Sequence, residues 1–336
     1  MKQAMFQEAR DAMKVQCGLC SHRCIIVPGK RGICAVRENR DGIMYTLVYD
    51  KVIARHIDPI EKKPLFHFQP GSLSYSIATP GCNFHCKHCQ NADISQLPRD
   101  RGDMILGEEM TPSAIVDAAL KNRCASISYT YTEPTIYFEL AYDTARLAAR
   151  AGLKNVFVSN GYITPEALME ISPYLHAANI DLKGYTDDFY KKICGARLQP
   201  VLDSISLYHE LGIWIEITTL VIPGHNDSDE ELKGIAQFIR SVGENIPWHV
   251  SRFHPTYKLM DQPITPIETL KRARQIGFDA GLRYVYEGNI PGEGEDTVCW
   301  SCKQTLVKRL GFSVLDNMIK DNKCTFCGAA IEGVWS

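Results

Sequence analysis

Short apolar runs alternate with amphipathic stretches from about residue 72 onward. The runs are rich in β-branched residues and predict strands, and the stretches between them carry apolar residues at helical spacing. Six consecutive strand-then-helix units predict an α/β fold with a parallel sheet, curled into a partial or full (β/α) barrel. An open, doubly wound sheet fits the same alternation. The predicted strands cover residues 73–78, 126–131, 155–159, 179–182, 213–222 and 249–253, with a seventh at 283–286.

Hydroxyl residues mark several of the predicted helix starts. Thr111, Thr164 and Thr265 each precede a proline, and a capping hydroxyl followed by proline at the first helical position is a helix-start signal. Ser228 precedes three acidic residues, which favour the positive end of a helix. The helix predicted there then places four apolar residues on one face, namely Leu232, Ile235, Ala236 and Ile239.

The composition is that of a globular protein with a substantial core. The 336 residues are 45% apolar and 23% charged, enough at about 150 residues per domain for two domains or one barrel with additions. The net charge of −2 gives no large positive field for holding nucleic acid or anionic lipid. The charged start and the lack of a long apolar run predict a cytoplasmic protein with no membrane partner.

The thirteen cysteines are an odd number, so complete disulfide pairing is impossible. In a reducing cytosol, clustered cysteines favour metal ligation or catalysis over disulfides. Cys124 and Cys194 stand alone and are interpreted as small buried apolar residues. The others form three groups: Cys17, Cys20, Cys24 and Cys34; Cys82, Cys86 and Cys89; and Cys299, Cys302, Cys324 and Cys327.

The central group has the spacing C-x3-C-x2-C and follows the first barrel strand. A structural zinc site takes four protein ligands, whereas three thiolates suit three corners of a [4Fe–4S] cluster and leave one iron without a protein ligand. Two alternatives remain open. His85 or His88 could complete a zinc site, or a distant cysteine could complete an ordinary four-ligand cluster.

The two flanking groups predict small metal-binding appendages. Two C-x2-C pairs separated by 21 residues have the spacing of a zinc ribbon, with an iron site or free thiols as alternatives. The N-terminal four cysteines predict zinc or a second [4Fe–4S] cluster, and His22 could replace one of them. The predicted divisions are a Cys-rich segment 1–70, a barrel core 71–290 and an appendage 291–336, which begins with a linker at 291–298.

The motifs resemble those of radical S-adenosylmethionine enzymes, in particular the pyruvate formate-lyase activating enzyme branch, and the chain is most similar to the radical enzyme of the AmmeMemoRadiSam system. The resemblance covers essentially the whole chain. It implies an oxidoreductase-like enzyme in which the open iron binds S-adenosylmethionine. The residues that carry it are CGLCSHR at 17–23, 82–91, YTYTEPT at 129–135, DLK at 181–183, YVYEGNIPG at 284–292 and the tail 299–335.

Barrel enzymes place functional residues at the carboxyl ends of their strands, and the resemblance assigns cofactor contacts there. Glu133 matches the acid of a Gly-Gly-Glu segment that contacts the methionyl ammonium, although Tyr-Thr replaces the two glycines. Ser159 and Asn160 resemble a Thr-Asn-Gly segment near the ribose or methionine. The alternative for the Glu133 segment is an ordinary helix start, and the alternative for the Ser159–Asn160 segment is a simple turn.

The resemblance makes Lys183 a contact of the cofactor carboxylate and Asp181 its polar partner. A structural salt bridge is the alternative, because an inward-facing pair is costly unless it is paired or bound. His254 aligns with a family histidine near the cofactor, and a structural histidine is again the alternative. Beyond the cluster and cofactor site, the sequence identifies no catalytic residue.

The leading hypothesis is reductive cleavage of S-adenosylmethionine to a 5′-deoxyadenosyl radical, which abstracts hydrogen from an unidentified small molecule or protein. An activase that makes a glycyl radical on a partner protein is the alternative, and a zinc-binding nucleic-acid module is a remote one. The resemblance also implies a reductant such as flavodoxin or ferredoxin, and Memo-like and AMMECR-like proteins as functional partners.

Overall fold

The computed structural model describes residues 1–290 and 292–335, so Pro291 of the predicted linker and Ser336 lie outside the described residues. The N-terminal part consists of short antiparallel strands, paired as β1-β6-β5 and β2-β3-β4. Two further strands of this part, β7 and β8, pair with later strands. The strands are β1 (Lys2–Gln3), β2 (Gln7–Ala9), β3 (Val15–Cys17), β4 (Ile25–Ile26), β5 (Arg37–Arg40), β6 (Ile43–Thr46), β7 (Lys51–Val52) and β8 (Ala54–Pro59).

The core is one eight-stranded sheet in the order β16-β15-β14-β13-β12-β11-β9-β8. All of its strands from β9 to β16 run parallel, and β8 pairs antiparallel with β9. The sequential order has no reversal point, as expected for a barrel-type winding rather than a doubly wound sheet. The strands are β9 (Leu73–Ala78), β10 (Glu108–Glu109, paired with β7), β11 (Ser126–Tyr129), β12 (Lys154–Ser159), β13 (Ala177–Asp181), β14 (Trp214–Val221), β15 (Trp248–Arg252) and β16 (Val285–Gly288).

The predicted α/β fold is therefore confirmed, and each predicted strand has an observed counterpart. The sheet keeps two edges, β8 and β16, so the barrel is partial. The predicted division near residue 70 falls between β8 and β9, which are neighbouring strands of this sheet.

Helices connect the parallel strands. Three predicted caps form: the hydroxyls of Thr111, Thr164 and Ser228 accept hydrogen bonds from backbone amides of the helices they begin. The helices are α1 (Ala92–Ser95), α2 (Leu97–Asp100), α3 (Pro112–Lys121), α4 (Phe138–Arg150), α5 (Pro165–Ile171), α6 (Asp187–Phe189), α7 (Gln199–Glu210), α8 (Asp229–Val242) and α9 (Ile267–Asp279). In the described parts of the chain, none is long and apolar enough to cross a membrane.

The cap predicted at Thr265 is wrong. Helix α9 begins at Ile267, and Pro266 caps it without a side-chain hydrogen bond. The Thr265 hydroxyl instead donates to Val221 O at 2.6 Å and accepts from Phe253 N at 2.9 Å. It joins the ends of β14 and β15, so tertiary partners replace the local one.

The C-terminal part adds a small sheet in the order β17-β18-β19 and a separate hairpin, β20-β21. It packs on the barrel through a cluster of buried apolar residues that includes Phe66, Tyr286 and Leu306. A β-bridge between Phe68 and Val334 adds a backbone connection. The strands are β17 (Thr297–Val298), β18 (Thr305–Leu310), β19 (Ser313–Asn317), β20 (Ile319–Lys320) and β21 (Lys323–Cys324).

Candidate active site

The three central cysteines lie on one loop at the carboxyl end of β9. Gly81 begins this loop with φ = +103°, and a Cβ there would lie 2.6 Å from Val36 Cγ1, so the position requires glycine. The Phe84 amide donates to Cys82 Sγ at 3.4 Å, which holds that sulfur at the turn. Cys86 is buried and the other two cysteines are partly exposed.

Glu133, at the carboxyl end of β11, is 1% exposed and organises the neighbouring strand end. Its Oε1 accepts from Thr135 N at 3.0 Å and from Ser159 Oγ at 2.8 Å, and its Oε2 accepts from Asn160 N at 2.8 Å. Burial raises the pKa of Glu133, although these donors favour its charged form. Glu133 therefore ties the end of β11 to the end of β12.

Asn160 connects this network to the cysteine loop. Its Nδ2 donates to Asn83 Oδ1 at 2.8 Å and lies 3.9 Å from Cys82 Sγ. Its Oδ1 accepts from Tyr162 N at 3.0 Å. The structure thus brings Glu133 and Asn160, two predicted cofactor contacts, together beside the cysteines.

Asp181 and Lys183 form the predicted pair at the carboxyl end of β13. Lys183 Nζ donates to Asp181 Oδ2 at 2.8 Å, and the two side chains are 17% and 33% exposed. Asn226 Nδ2 donates to Lys183 O at 2.7 Å, which fixes the backbone after the strand. Burial alone would lower the pKa of Lys183, but Asp181 and the nearby Cys86 and Cys194 sulfurs raise it above its usual range. Lys183 is therefore held in its charged form, paired with Asp181.

His254 is not brought into this arrangement. It follows β15 and is exposed, and the described residues include no hydrogen bond or ion pair to its side chain. Its assignment as a cofactor contact stays a prediction.

The loop's donor set fits an iron–sulfur cluster. Burial raises the pKa of Cys82 and Cys89, so both thiols are held protonated unless a metal takes the proton's place. Three polar atoms buried beside these cysteines have no hydrogen-bond partner among the described residues: Thr79 Oγ1, Asn83 Nδ2 and His88 Nδ1. Soft sulfur ligands surrounded by unsatisfied polar atoms are what a bound cluster and its cofactor would complete.

Cys194 lies at the site, although its place in the sequence did not predict this. This cysteine ends a π-helical turn (Tyr190–Cys194), a feature often found at functional sites. Its carbonyl accepts from His85 N at 2.8 Å, and its Sγ lies within 4.8 Å of the ligand atoms of both Cys86 and His88. It is buried as predicted, but it lies beside a proposed cluster ligand. Its position far along the chain gave no spacing signal.

The C-terminal cysteines form a tight group. The Sγ atoms of Cys299 and Cys327 are 3.7 Å apart, as are those of Cys302 and Cys324, and all four sulfurs lie within 4.8 Å of one another. A tetrahedral ion with Zn–S bonds of about 2.3 Å separates its sulfur ligands by about 3.8 Å. The geometry therefore fits a single tetrahedral ion.

The N-terminal cysteines are arranged differently. In residues 1–290 and 292–335, the sets of three or more potential ligands within 4.8 Å of one another do not include Cys17, Cys20, Cys24 or Cys34. The group packs against the active-site loop, because Cys34 O would lie 3.1 Å from a Cβ at Gly81. Burial raises the pKa of Cys34 to about 11.

Comparisons with known proteins agree with this geometry. The family described as the Radical SAM superfamily matches residues 76–239. An uncharacterized protein of Methanocaldococcus jannaschii is 48% identical over 336 residues, covering 99% of both chains. The pyruvate formate-lyase-activating enzyme of Clostridium pasteurianum is 22% identical over 219 residues, covering 62% of this chain and 89% of that protein. A radical SAM methyltransferase from Sphaerobacter thermophilus is 15% identical with a TM-score of 0.52, covering 71% of each chain.

Proposed function

The chain belongs to the radical SAM superfamily, and we propose that it cleaves S-adenosylmethionine reductively and abstracts hydrogen from a substrate held at the carboxyl ends of the strands. The observation that carries the proposal is the cysteine loop at the end of β9, with the Glu133 network and the Asp181–Lys183 pair at neighbouring strand ends. Cys82, Cys86 and Cys89 would hold a [4Fe–4S] cluster. When bound, this group supplies the electron that breaks a C–S bond of S-adenosylmethionine and yields the 5′-deoxyadenosyl radical.

The surrounding residues bind and orient the cofactor. Lys183 offers a positive charge to the carboxylate of S-adenosylmethionine, and Asp181 orients the ammonium group of Lys183. Glu133 has an Oε2 with one protein donor and can accept a further bond from the methionyl ammonium. Ser159 and Asn160 hold Glu133 in place, and Asn160 also positions the cysteine loop through Asn83.

The flanking cysteines would hold two further metal centres of different kinds. We assign zinc to the C-terminal four, because their sulfur separations match a single tetrahedral ion. We assign a second [4Fe–4S] cluster to the N-terminal four, because their wider spacing does not match such an ion. A reductant of the flavodoxin or ferredoxin type would supply electrons. The assignment to the AmmeMemoRadiSam system, with Memo-like and AMMECR-like partners, remains a prediction from sequence resemblance.

The test is anaerobic reconstitution followed by detection of 5′-deoxyadenosine after reduction with dithionite. We expect the wild-type protein to form it and Cys82→Ala to lose it. Cys124→Ala is the matched control, because Cys124 is a buried cysteine outside all three groups. Deoxyadenosine from Cys82→Ala at the wild-type rate would refute the assignment.

A glycyl-radical activase is the second candidate, because the similar Clostridium pasteurianum protein is an activating enzyme. It would need a partner protein whose glycine loop reaches the same strand ends. Electron paramagnetic resonance of a candidate partner after turnover separates the two. A stable glycyl doublet supports the activase, and its absence with continued deoxyadenosine formation supports a different substrate.

A further inference from the structure

A buried charged cluster lies near the active-site loop and has no role in the function proposed above. Lys63 and Asp58 are 1% and 4% exposed, and Lys63 Nζ donates to Asp58 Oδ2 at 2.6 Å. The Tyr131 hydroxyl donates to the same oxygen, and Lys63 Nζ lies 4.5 Å from the centre of the Tyr131 ring. Lys62 donates from the surface to Asp58 Oδ1 at 2.9 Å.

This cluster lies on the face of the sheet that carries the Asp181–Lys183 pair. Asn179 Nδ2 donates to the carbonyl of Pro64, the residue after Lys63, at 2.8 Å. Asn179 and Asp181 are two residues apart on β13, so their side chains share one face. The cluster is therefore on the cofactor's side of the sheet.

The surroundings of the cluster are polar. Asp58 on β8 is directly opposite Ser74 on β9, so these two side chains also share a face. The Ser74 hydroxyl lies 2.6 Å from that of Ser128 on β11. His56, on the same face of β8, is exposed and packs edge-on against Tyr131, with the two ring centres 5.7 Å apart. The edge strand thus gives the cluster a hydroxyl-rich setting with a solvent-exposed histidine at its margin.

Tyr131 reaches the cluster from an unfavourable backbone conformation. Its φ is +62°, which is uncommon for a bulky residue and costs free energy that the surroundings must offset. Asn91 Nδ2, from the end of the cysteine loop, donates to Tyr131 O at 2.9 Å and holds the backbone there. Tyr131 therefore connects the charged cluster directly to the cysteine loop.

The ammonium group of Lys63 has spare hydrogen-bonding capacity. It carries three donors, and the described residues give it one acceptor, Asp58. Burial lowers the pKa of Lys63 to about 8 even though Asp58 favours the charged form. A buried ion pair of this kind is costly if it serves stability alone, whereas an incoming anion would satisfy the remaining donors.

We propose that Lys63, positioned by Asp58 and Tyr131, binds an anionic oxygen of the substrate, carried by a carboxylate or a phosphate group. The inference rests on the proposed function, because it places the substrate beside the S-adenosylmethionine site. Because Lys63 and Asp58 are buried, the proposed subsite would take a small group at one end of the substrate rather than an extended chain.

The test compares Lys63→Met with Lys62→Met in the reconstituted holoenzyme. Both variants remove one positive charge that bonds to Asp58, but Lys62 is exposed. The probes are acetate, inorganic phosphate and the uncharged acetamide, with binding measured by nuclear magnetic resonance titration. We expect acetate or phosphate, but not acetamide, to bind the wild type and Lys62→Met, with about tenfold or greater weakening in Lys63→Met. The carboxylate and phosphate arms identify which anion is preferred.

The proposal is overturned if Lys63→Met binds the anions as well as the wild type, if acetamide binds equally, or if the wild type binds none. Should Lys63→Met fail to fold, Tyr131→Phe serves instead, since it removes only the hydroxyl that orients Asp58. It should weaken anion binding by a smaller factor. Deoxyadenosine formation and iron content, measured on the same samples, show separately whether the proposed function holds.

Discussion

The two four-cysteine groups of this chain have the same number of thiols but different geometry. Two pairs of C-terminal sulfurs are 3.7 Å apart, and all four lie within 4.8 Å of one another. In the described residues, no three of the N-terminal sulfurs lie that close together. Sulfur separation follows from what the thiols surround, because a single ion needs them closer than a cluster does. The comparison therefore supports the proposal that the two groups hold different kinds of metal centre.

Their backbones explain the difference. Each C-x2-C segment, Cys299–Cys302 and Cys324–Cys327, sits on its own tight turn. Lys303 N donates to Cys299 O at 3.0 Å, and Gly328 N donates to Cys324 O at 2.9 Å. The N-terminal group depends on the barrel, because Cys20 forms a β-bridge with Ile163. The first site is local and the second is assembled against the active site.

Substitution of one C-terminal ligand should have the largest effect. We expect Cys302→Ser to reduce zinc from one equivalent per chain to none and to unfold the β17-β18-β19 region locally, because structural zinc contributes about 10–16 kcal/mol in small peptides. Elemental analysis and hydrogen exchange across residues 297–335 measure both effects. Retained zinc, or lost iron instead, would reverse the assignment of the two groups.

Substitution in the N-terminal group should affect iron and leave zinc unchanged. We expect Cys34→Ser to lose about half of the iron, since one of two four-iron clusters would be missing. Elemental analysis of anaerobically reconstituted protein gives both metals. Cys124→Ala controls for the loss of a buried thiol. If zinc falls and iron stays, the N-terminal group holds zinc and not a second cluster.

The sequence predicted what depends on near neighbours. The strands and the caps at Thr111, Thr164 and Ser228 depend on residues a few positions away, and all were found. Thr265 failed because its partners come from two other strand ends.

Within the site, too, contacts between residues far apart in the chain were not predicted. The spacing of Cys86 within its motif carries no information about Cys194, which only the packing of the π-helical turn brings close. Glu133 was predicted as a cofactor contact, and the structure additionally gives it Ser159 and Asn160 as partners. Side-chain networks between strand ends are tertiary, so one sequence does not reveal them.

Lowering the pH should moderately reduce the stability of the contact between the C-terminal region and the barrel, and should leave the N-terminal contact unchanged. His67 joins the C-terminal tail to the barrel: Nδ1 lies 2.7 Å from Glu332 O, and Nε2 lies 2.6 Å from the Tyr286 hydroxyl. Burial lowers the pKa of His67 to about 4, although the nearby Glu216 favours the charged form. The unfolded chain therefore binds more protons between pH 6.5 and 4, and stability is lost as pH falls through that window.

The expected loss from His67 is about 2 kcal/mol at pH 5 relative to pH 7. Urea unfolding at the two pH values measures it, and His67→Gln should flatten the dependence. The N-terminal region docks through the buried Arg37–Glu139 pair, and Arg37 keeps its charge throughout this range. If the free energy of unfolding of His67→Gln depends on pH as steeply as that of the wild type, the acid sensitivity comes from other groups, such as the C-terminal thiolates.

Substitution of Cys194 should have the smallest effect. It also tests whether close spacing of ligand atoms indicates a single metal ion. Cys86, His88 and Cys194 also lie within 4.8 Å of one another, so by the spacing criterion alone they could hold a single ion. We expect instead that Cys86 is a cluster ligand and that the Cys194 thiol, which lowers the pKa of Cys86, acts only as a neighbour. Cys194→Ala should then keep its iron and deoxyadenosine formation, with a small shift in the reduction potential measured by electron paramagnetic resonance, because hydrogen bonds to cluster sulfurs tune that potential. The contrary result is that Cys194→Ala loses one equivalent of zinc while Cys302→Ser retains one. Cys86, His88 and Cys194 would then hold a single zinc ion, and the chemistry proposed for the cysteine loop would be refuted.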